Sequence, residues 1–299
     1  MADLEHGARV RPMTLDDVDG AQSLAEAAFA DLSRRRGPAR DTDVPWPSPF
    51  RGRWRHVLAT DPAGCWVAED AQGLAGVSVG LRRGPVWGLS MLAVRVGVQS
   101  RGTGRALLER ALRTAEGAGA CLIVASDDPR AIRRYALAGF ALRPTLSAAG
   151  GSCGAPGVRG AERLPDTGGT RLGDLADLDL TEAVDARVRG AARGADLATV
   201  LEAGGRMVVA DGPRRGYAVL RDSSLFTLAA LDEQTAAAVL ARALREIGGP
   251  ARVNWLDAAN GWAHEVVIAA GLRLTPSGPL CTRGRPAPLH PYLFSGPYL

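Results

Sequence analysis

The sequence predicts an α/β (α+β) chain in which two domains of one plan follow each other, each a mixed, mostly antiparallel central sheet flanked by helices. Three observations carry this. Leu89 to Leu112 reads as a short apolar strand, a glycine-bearing turn and an amphipathic helix. Around it lie further strand-length apolar runs separated by turn residues. And part of the pattern returns 132 residues later in a chain of 299 residues, more than one core usually organises.

Taken in order, Arg9 to Met13 alternates like a short strand. Thr14 with Asp17 three residues on marks a helix start, and Asp16 to Leu32 carries Val18, Ala21, Leu24, Ala25 and Ala28 on one face. Arg34 to Arg53 is rich in Arg and Pro, which excludes a regular helix. A loop of that length is often functional, and its Trp46 and Phe50 either wall a substrate pocket or pin the loop to the core. Trp54 to Ala59 is a short second helix. Cys65 to Ala68, Leu74 to Leu81 and Val86 to Val94 are strands separated by turn signals at 70–73 and 82–85. After the helix that follows the glycine turn, Cys121 to Ala125 is a buried strand. Pro129, at the first position of a helix capped by Asp127-Asp128, loses no hydrogen bond there.

The turn itself is the most informative stretch. Its N–H groups precede a helix and lack carbonyl partners, and the helix start carries partial positive charge, so an anion such as a phosphate suits it. A nucleotide-hydrolase loop needs a lysine before Ser or Thr, and the chain has no lysine at all. A dinucleotide fingerprint lacks its third glycine. What fits is Gln-x-x-Gly-x-Gly at Gln99, Gly102 and Gly104, after Leu92-Ala93-Val94. This resembles the acetyl-CoA pyrophosphate loop of the GNAT family of N-acetyltransferases. The family's later helix, Asn-x-x-Ala-x-x-x-Tyr-x-x-x-Gly-Phe, is matched by Asp128, Ala131, Tyr135, Gly139 and Phe140, with Asp in place of Asn. Two motifs in the right order identify residues 9 to 145 as a member of the family.

The resemblance implies a chemistry. Backbone groups near Leu92 and Val94 would pair with the pantetheine arm. The amides from Gln99 through Arg101, Gly102, Thr103 and Gly104 to Arg105 would hold the diphosphate. Tyr135 would be the general acid at the sulfur, and Asp128 would stand where an Asn contacts pantetheine, although an ionised carboxylate accepts but cannot donate. The base is open: Val86 to Val94 has no acid, and Glu69 and Asp70 end an earlier strand. A site without a close carboxylate suits amines of lower pKa.

The second half repeats the plan without the loop. Asn260, Ala263, Gly271 and Leu272 match Asp128, Ala131, Gly139 and Phe140 at one offset of 132. Val267 replaces Tyr135, and Leu231 to Ala236 has two carboxylates and no glycine where the loop would be. The expected organisation is a GNAT domain at 1–150, a linker or hairpin at 151–169, a degenerate GNAT-like domain at 170–285, and an apolar, proline-rich tail at 286–299 that packs back on the protein. Some tandem relatives place the terminal carboxylate in the active site, which offers Leu299 as a base.

Composition narrows the rest. The net charge is +4, all 36 basic residues are Arg, and aromatics are only 5%. Spread basicity without stacking residues argues against nucleic acid. No apolar run reaches membrane-span length, no signal-peptide core precedes residue 14, and the scattered Cys65, Cys121, Cys153 and Cys281 fit no metal spacing and read as reduced. The expectation is a cytoplasmic tandem protein, monomer or homodimer, that uses acetyl-CoA and no metal. It would acetylate the amine of a small molecule or peptide terminus in a ternary complex. The alternatives are a non-catalytic acyl-CoA-binding module and a transferase of longer acyl or aminoacyl groups.

Overall fold

The computed structural model describes residues 4–5, 8–36, 44, 51–151 and 164–298. Trp46, Phe50, Cys153 and Leu299 lie outside the described residues. In the first half, β1 (Leu4–Glu5) and β2 (Ala8–Pro12) lead into α1 (Val18–Arg36) and α2 (Arg51–Thr60). Then β3 (Cys65–Asp70), β4 (Gly73–Arg83) and β5 (Val86–Val94) form a meander. α3 (Thr103–Leu112), β6 (Ala120–Val124), α4 (Pro129–Leu137) and β7 (Ala141–Gly150) follow. The second half has β8 (Thr170–Gly173), α5 (Leu178–Val188), α6 (Gly194–Glu202), β9 (Arg206–Asp211), β10 (Arg215–Arg221) and β11 (Ser224–Ala230). It continues with α7 (Glu233–Ile247), β12 (Ala251–Asp257), α8 (Gly261–Ala269), β13 (Arg273–Gly284) and β14 (Tyr292–Leu293).

Local chemistry explains where these elements begin. The Asp17 carboxylate accepts from the Thr14 amide at 2.8 Å, and Asp177 accepts from Asp174 at 3.0 Å, closing the same turn at the start of each half. Asp128 accepts from the Arg130 amide at 2.9 Å and so starts α4, with Pro129 in the first turn. β6 reads ACLIV and is apolar on both faces because helices or neighbouring strands cover both.

All strands join one sheet in the order β1-β2-β3-β4-β5-β6-β13-β7-β12-β11-β10-β9-β8, with β14 beside β11. The halves exchange their last long strands. β13, from the second half, pairs antiparallel with β6, and β7, from the first, pairs antiparallel with β12. At the centre β7 and β13 pair with each other, Thr145 opposite Ser277, which are themselves 132 positions apart. Leu146 to Gly150 belong to β7, so their strand neighbours come from the other half rather than from a local hairpin.

The exchange merges the cores. One apolar cluster includes Val57 of α2, Val79 of β4, Leu197 of α6, Phe226 of β11, and Phe294 and Tyr298 of the tail. Burying a side chain of that size contributes roughly 2 kcal/mol, so neither half keeps its full core alone. Cys65, Cys121 and Cys281 are buried and free.

Candidate active site

The parallel pair β5 and β6 is joined only at Val86–Ala120, Trp87–Cys121 and Gly88–Leu122. Beyond this, β5 continues along β4 as far as Val94 opposite Gly76, while β6 stays with β13. The strands therefore part, and from Leu89 to Val94 no described strand pairs with the far edge of β5. Alternate residues of a strand direct their N–H and C=O to opposite edges, so this edge offers backbone groups to an extended ligand.

At the end of the opening the chain turns into α3. Gly102 sits at φ 95° as the residue before the helix, a conformation that glycine adopts without a Cβ penalty. A Cβ on Gly104 would stand 3.4 Å from Val94 Cγ2, so the backbone approaches β5 closely there. Gly102 O accepts from the amides of Arg105 (2.8 Å) and Ala106 (3.1 Å). The Arg105 amide, expected in the phosphate cradle, is thus used by the helix. The amides of Gln99 through Gly104 have no acceptor among the described residues, and they form the concave N-terminal end of α3. Thr103 is buried; Arg101 is exposed, and Arg105 is exposed and pairs with Glu109 at 3.1 Å.

A polar tether holds this turn against α4. Gln99 Nε2 donates to Val94 O at 3.1 Å, and Gln99 Oε1 accepts from Arg130 Nη1 at 2.6 Å. Arg130 Nη2 donates to Asp128 Oδ2 at 2.7 Å. Burial pushes the Asp128 carboxyl up, but the Arg130 side chain and amide outweigh it and hold it below the ordinary carboxylate value. Asp128 is therefore an ionised cap whose oxygens are engaged with Arg130.

Tyr135 lies on α4, 5% exposed, among Trp87, Leu89, Cys121 and Cys281. Burial raises its pKa above the usual phenol value, and Cys281 and Asp128 act in the same direction. Tyr135 and Leu89 share one apolar cluster on the face of β5 toward α3 and α4. The next residue, Ser90, faces α2 instead: its carbonyl and Oγ accept from Arg53 Nη2 at 3.0 and 2.9 Å. β4 and β5 shift register at this point, with Val79 opposite Met91 and Gly80 opposite Leu89, so Ser90 is the extra residue of a bulge.

The acids considered as bases are engaged in ion pairs. Glu69 meets Arg11 at 3.0 Å and Asp70 meets Arg95 at 2.5 Å. The sequence left His56 without a role, but the structure places its Nε2 2.8 Å from Asp196 Oδ1, across the two halves. Arg83 donates to both oxygens of Asp196, at 2.7 and 2.5 Å. No spacing could reveal this, because His56 and Asp196 are 140 residues apart. Arg53 was equally invisible, since a helix arginine carries no motif. Among the described residues no group of three or more His, Cys, Asp or Glu could hold a metal, and no helix is long and apolar enough to cross a membrane.

The second half is filled where the first is open. β11 and β12 pair only at Ser224–Arg252, but β14 lies in the gap, pairing Leu228 with Leu293 and Ala229 with Tyr292. Asn260, the counterpart of Asp128, donates to Leu289 O at 3.3 Å and accepts from the Tyr292 amide at 2.9 Å. The tail thus lies as a peptide along the second groove, and Tyr292, Leu293, Phe294 and Tyr298 are at most 3% exposed. α7 begins two residues after β11, and its first turn is closed by Asp232, which accepts from the Thr235 amide at 2.8 Å. Val267 is fully buried in the core.

The sequence model of the acetyltransferase (GNAT) family matches residues 27–140. No curated protein matches. Among solved structures, a candidate acetyltransferase from Pyrococcus horikoshii superposes with a TM-score of 0.73 at 16% identity, covering 94% of this chain and 91% of that one. A tandem GNAT protein from the clavulanic acid biosynthesis pathway gives 0.54 at 15% identity, covering 92% of this chain and 98% of that one. A GCN5-related N-acetyltransferase from Kribbella flavida gives 0.54 at 13%, over 92% and 70%. At these identities the superpositions speak for the fold. Residues 27–140 thus carry an acetyltransferase (GNAT) family domain, and the chain as a whole shares the fold of these tandem GNAT structures.

Proposed function

We propose that the protein is an N-acetyltransferase that moves the acetyl group of acetyl-CoA to the amine of a small molecule or a peptide terminus, by direct attack in a ternary complex. One observation carries this reading. Six amides, Gln99 to Gly104, have no acceptor among the described residues at the N-terminus of α3, beside the edge of β5 that β6 leaves open. Amides and helix dipole together favour a dianionic diphosphate there. In this reading residues 1–150 catalyse and 170–285 support.

Acetyl-CoA supplies an electrophilic thioester carbonyl and a thiolate leaving group. The Gln99–Gly104 amides bind the diphosphate, with Arg101 and Arg105 adding positive charge at the rim. The Gln99–Arg130–Asp128 tether keeps that turn fixed against α4, so the cradle costs little ordering on binding. Leu92 and Val94 present backbone groups to the pantetheine arm. Tyr135 stays protonated because burial raises its pKa, so it always has a hydrogen to offer. It donates to the sulfur as the C–S bond breaks. The neutral amine attacks the carbonyl, the thiolate leaves, and the proton shed by the nitrogen of the adduct replaces the one Tyr135 gives up, so the count closes. An α-amino group, with a pKa of roughly 8, is neutral far more often than a lysine-type amine near 10.4. A β5 that carries no carboxylate suits the former.

A second reading is acyl-CoA binding without turnover, favoured by the engagement of Glu69 and Asp70 with Arg11 and Arg95. Calorimetry with acetyl-CoA and thiol release with a panel of amines separate the two. Tight binding with amine-dependent release supports the transferase. Binding with no release from any amine leaves the binding module, and no binding at all sinks both.

A further inference from the structure

The same Arg53 that holds the β5 bulge is a cation without a counter-ion among the described residues. It uses Nη2 for Ser90 O and Oγ. Its Nε and Nη1, three N–H bonds, meet no acceptor among the described residues, and no described carboxylate lies within ion-pair distance. Asp196, which reaches α2 at His56, is already held by Arg83 and His56. Burial lowers the Arg53 pKa to about 10, and Arg221, at the end of β10 in the second half, lowers it further by like charge. Arg53 is half-buried, and a ligand anion would supply the charge partner that the described residues do not.

Position says which ligand. Leu89 packs with Tyr135 on one face of β5, while Ser90 meets Arg53 on the other. The open edge of β5 runs between the two faces. A molecule held at Arg53 therefore has its other end directed at that edge, opposite Tyr135. We propose that the acceptor is an amine that also carries a carboxylate, and that Arg53 binds this carboxylate through Nη1 and Nε while Ser90 fixes the guanidinium. This rests on the acetyl-transfer reading and names its substrate class. Guanidinium–carboxylate hydrogen bonds in a partly desolvated site are among the stronger polar contacts.

The test uses the full chain with acetyl-CoA and three acceptor pairs: glycine, β-alanine and γ-aminobutyrate, each with its neutral carboxamide. In at least one pair the acid should exceed the amide in kcat/KM by about tenfold or more. Arg53→Gln should bring that ratio close to one, mainly through KM, and Arg53→Lys should restore part of it. Equal rates for acids and amides in the unaltered protein would overturn the proposal, as would a ratio that Arg53→Gln leaves unchanged. Should no amine accept acetyl, the transferase reading fails by itself. Arg53 is then judged by calorimetry with the N-acetylated acids, where a Kd that Arg53→Gln raises about tenfold supports the site and the absence of binding, or an unchanged Kd, removes it.

Discussion

The two halves of this protein share a plan and differ in what occupies its centre. In the first, β5 and β6 part and nothing described lies between them. In the second, β11 and β12 part and the chain's own tail lies between, held by Asn260 as a peptide. The second half has also lost length at particular places. α1 has 19 residues and α5 has 11. The α1–α2 connection spans 37–50, against 189–193 between α5 and α6, and the turn before the central helix spans 95–102, against 231–232. The frame kept its ion pairs: Arg11 bridges Asp17 and Glu69, and Arg171 bridges Asp177 and Asp211. So the shorter segments are helices and connections, while those that build the sheet remain. The second half closes its groove with side chains and tail, and the exchanged strands join its core to that of the first half.

The comparison can be pressed at several points. The largest effect is expected at Tyr135. Tyr135→Phe should lower kcat by roughly 10²–10⁴-fold with acetyl-CoA affinity retained, whereas Val267→Ala at the matching position should leave turnover intact and lower stability only. Equal losses of activity from both would erase the functional difference between the halves.

Next comes the buried cluster that fills the second half. Arg193 donates to Asp185 at 2.8 Å, Tyr217 donates to Asp185 at 2.6 Å, and all three side chains are fully buried. Asp185→Ala leaves a buried guanidinium unpaired and should cost about 3–5 kcal/mol in urea unfolding. A cost below about 1 kcal/mol would mean that water reaches the cluster.

At the cradle, Gly102→Asp forces a side chain into φ 95° and sets a carboxylate against the diphosphate. Calorimetry should show acetyl-CoA binding weakened by roughly a hundredfold, about 2.7 kcal/mol. Asp232→Ala, at the start of α7, should leave that affinity unchanged and cost about 1 kcal/mol as a lost cap.

The smallest effects belong to the repeated ion pairs. Arg11 holds the Asp17 carboxyl down at about 2, mainly by hydrogen bonding and against burial. A carboxyl with a lowered folded pKa contributes stability above its unfolded value near 3.9, and that contribution is lost as pH falls from about 4 toward 2. Arg11→Ala should flatten this part of the acid-unfolding curve. Arg171→Ala should change it less, since Arg171 is 47% exposed against 25% for Arg11 and solvent screens it. Equal slopes would show that burial does not distinguish the pairs.

How far the sequence reaches is clear from single residues. Gln99, Gly102 and Gly104 announced the turn because a close backbone approach needs glycine at fixed spacing, and spacing is local. The start of α4 at Asp128-Pro129 was legible for the same reason. By contrast, the exchange of β7 and β13 left no mark, because a strand's own residues read alike whichever half it pairs with. Nor could the sequence place the tail in the second groove, though its apolarity said that it would not stay in water.

By itself, then, the amino-acid order determined the elements, the family plan and the glycine turn before α3, all of which rest on interactions between residues near in the chain. Only the tertiary structure decided that His56 meets Asp196, that Arg53 stands at the β5 bulge, and that Asn260 grips the tail. These contacts join residues from about 30 to 140 positions apart, and a contact at that separation is fixed by packing and by the cost of leaving buried polar groups unpaired, which no local pattern records.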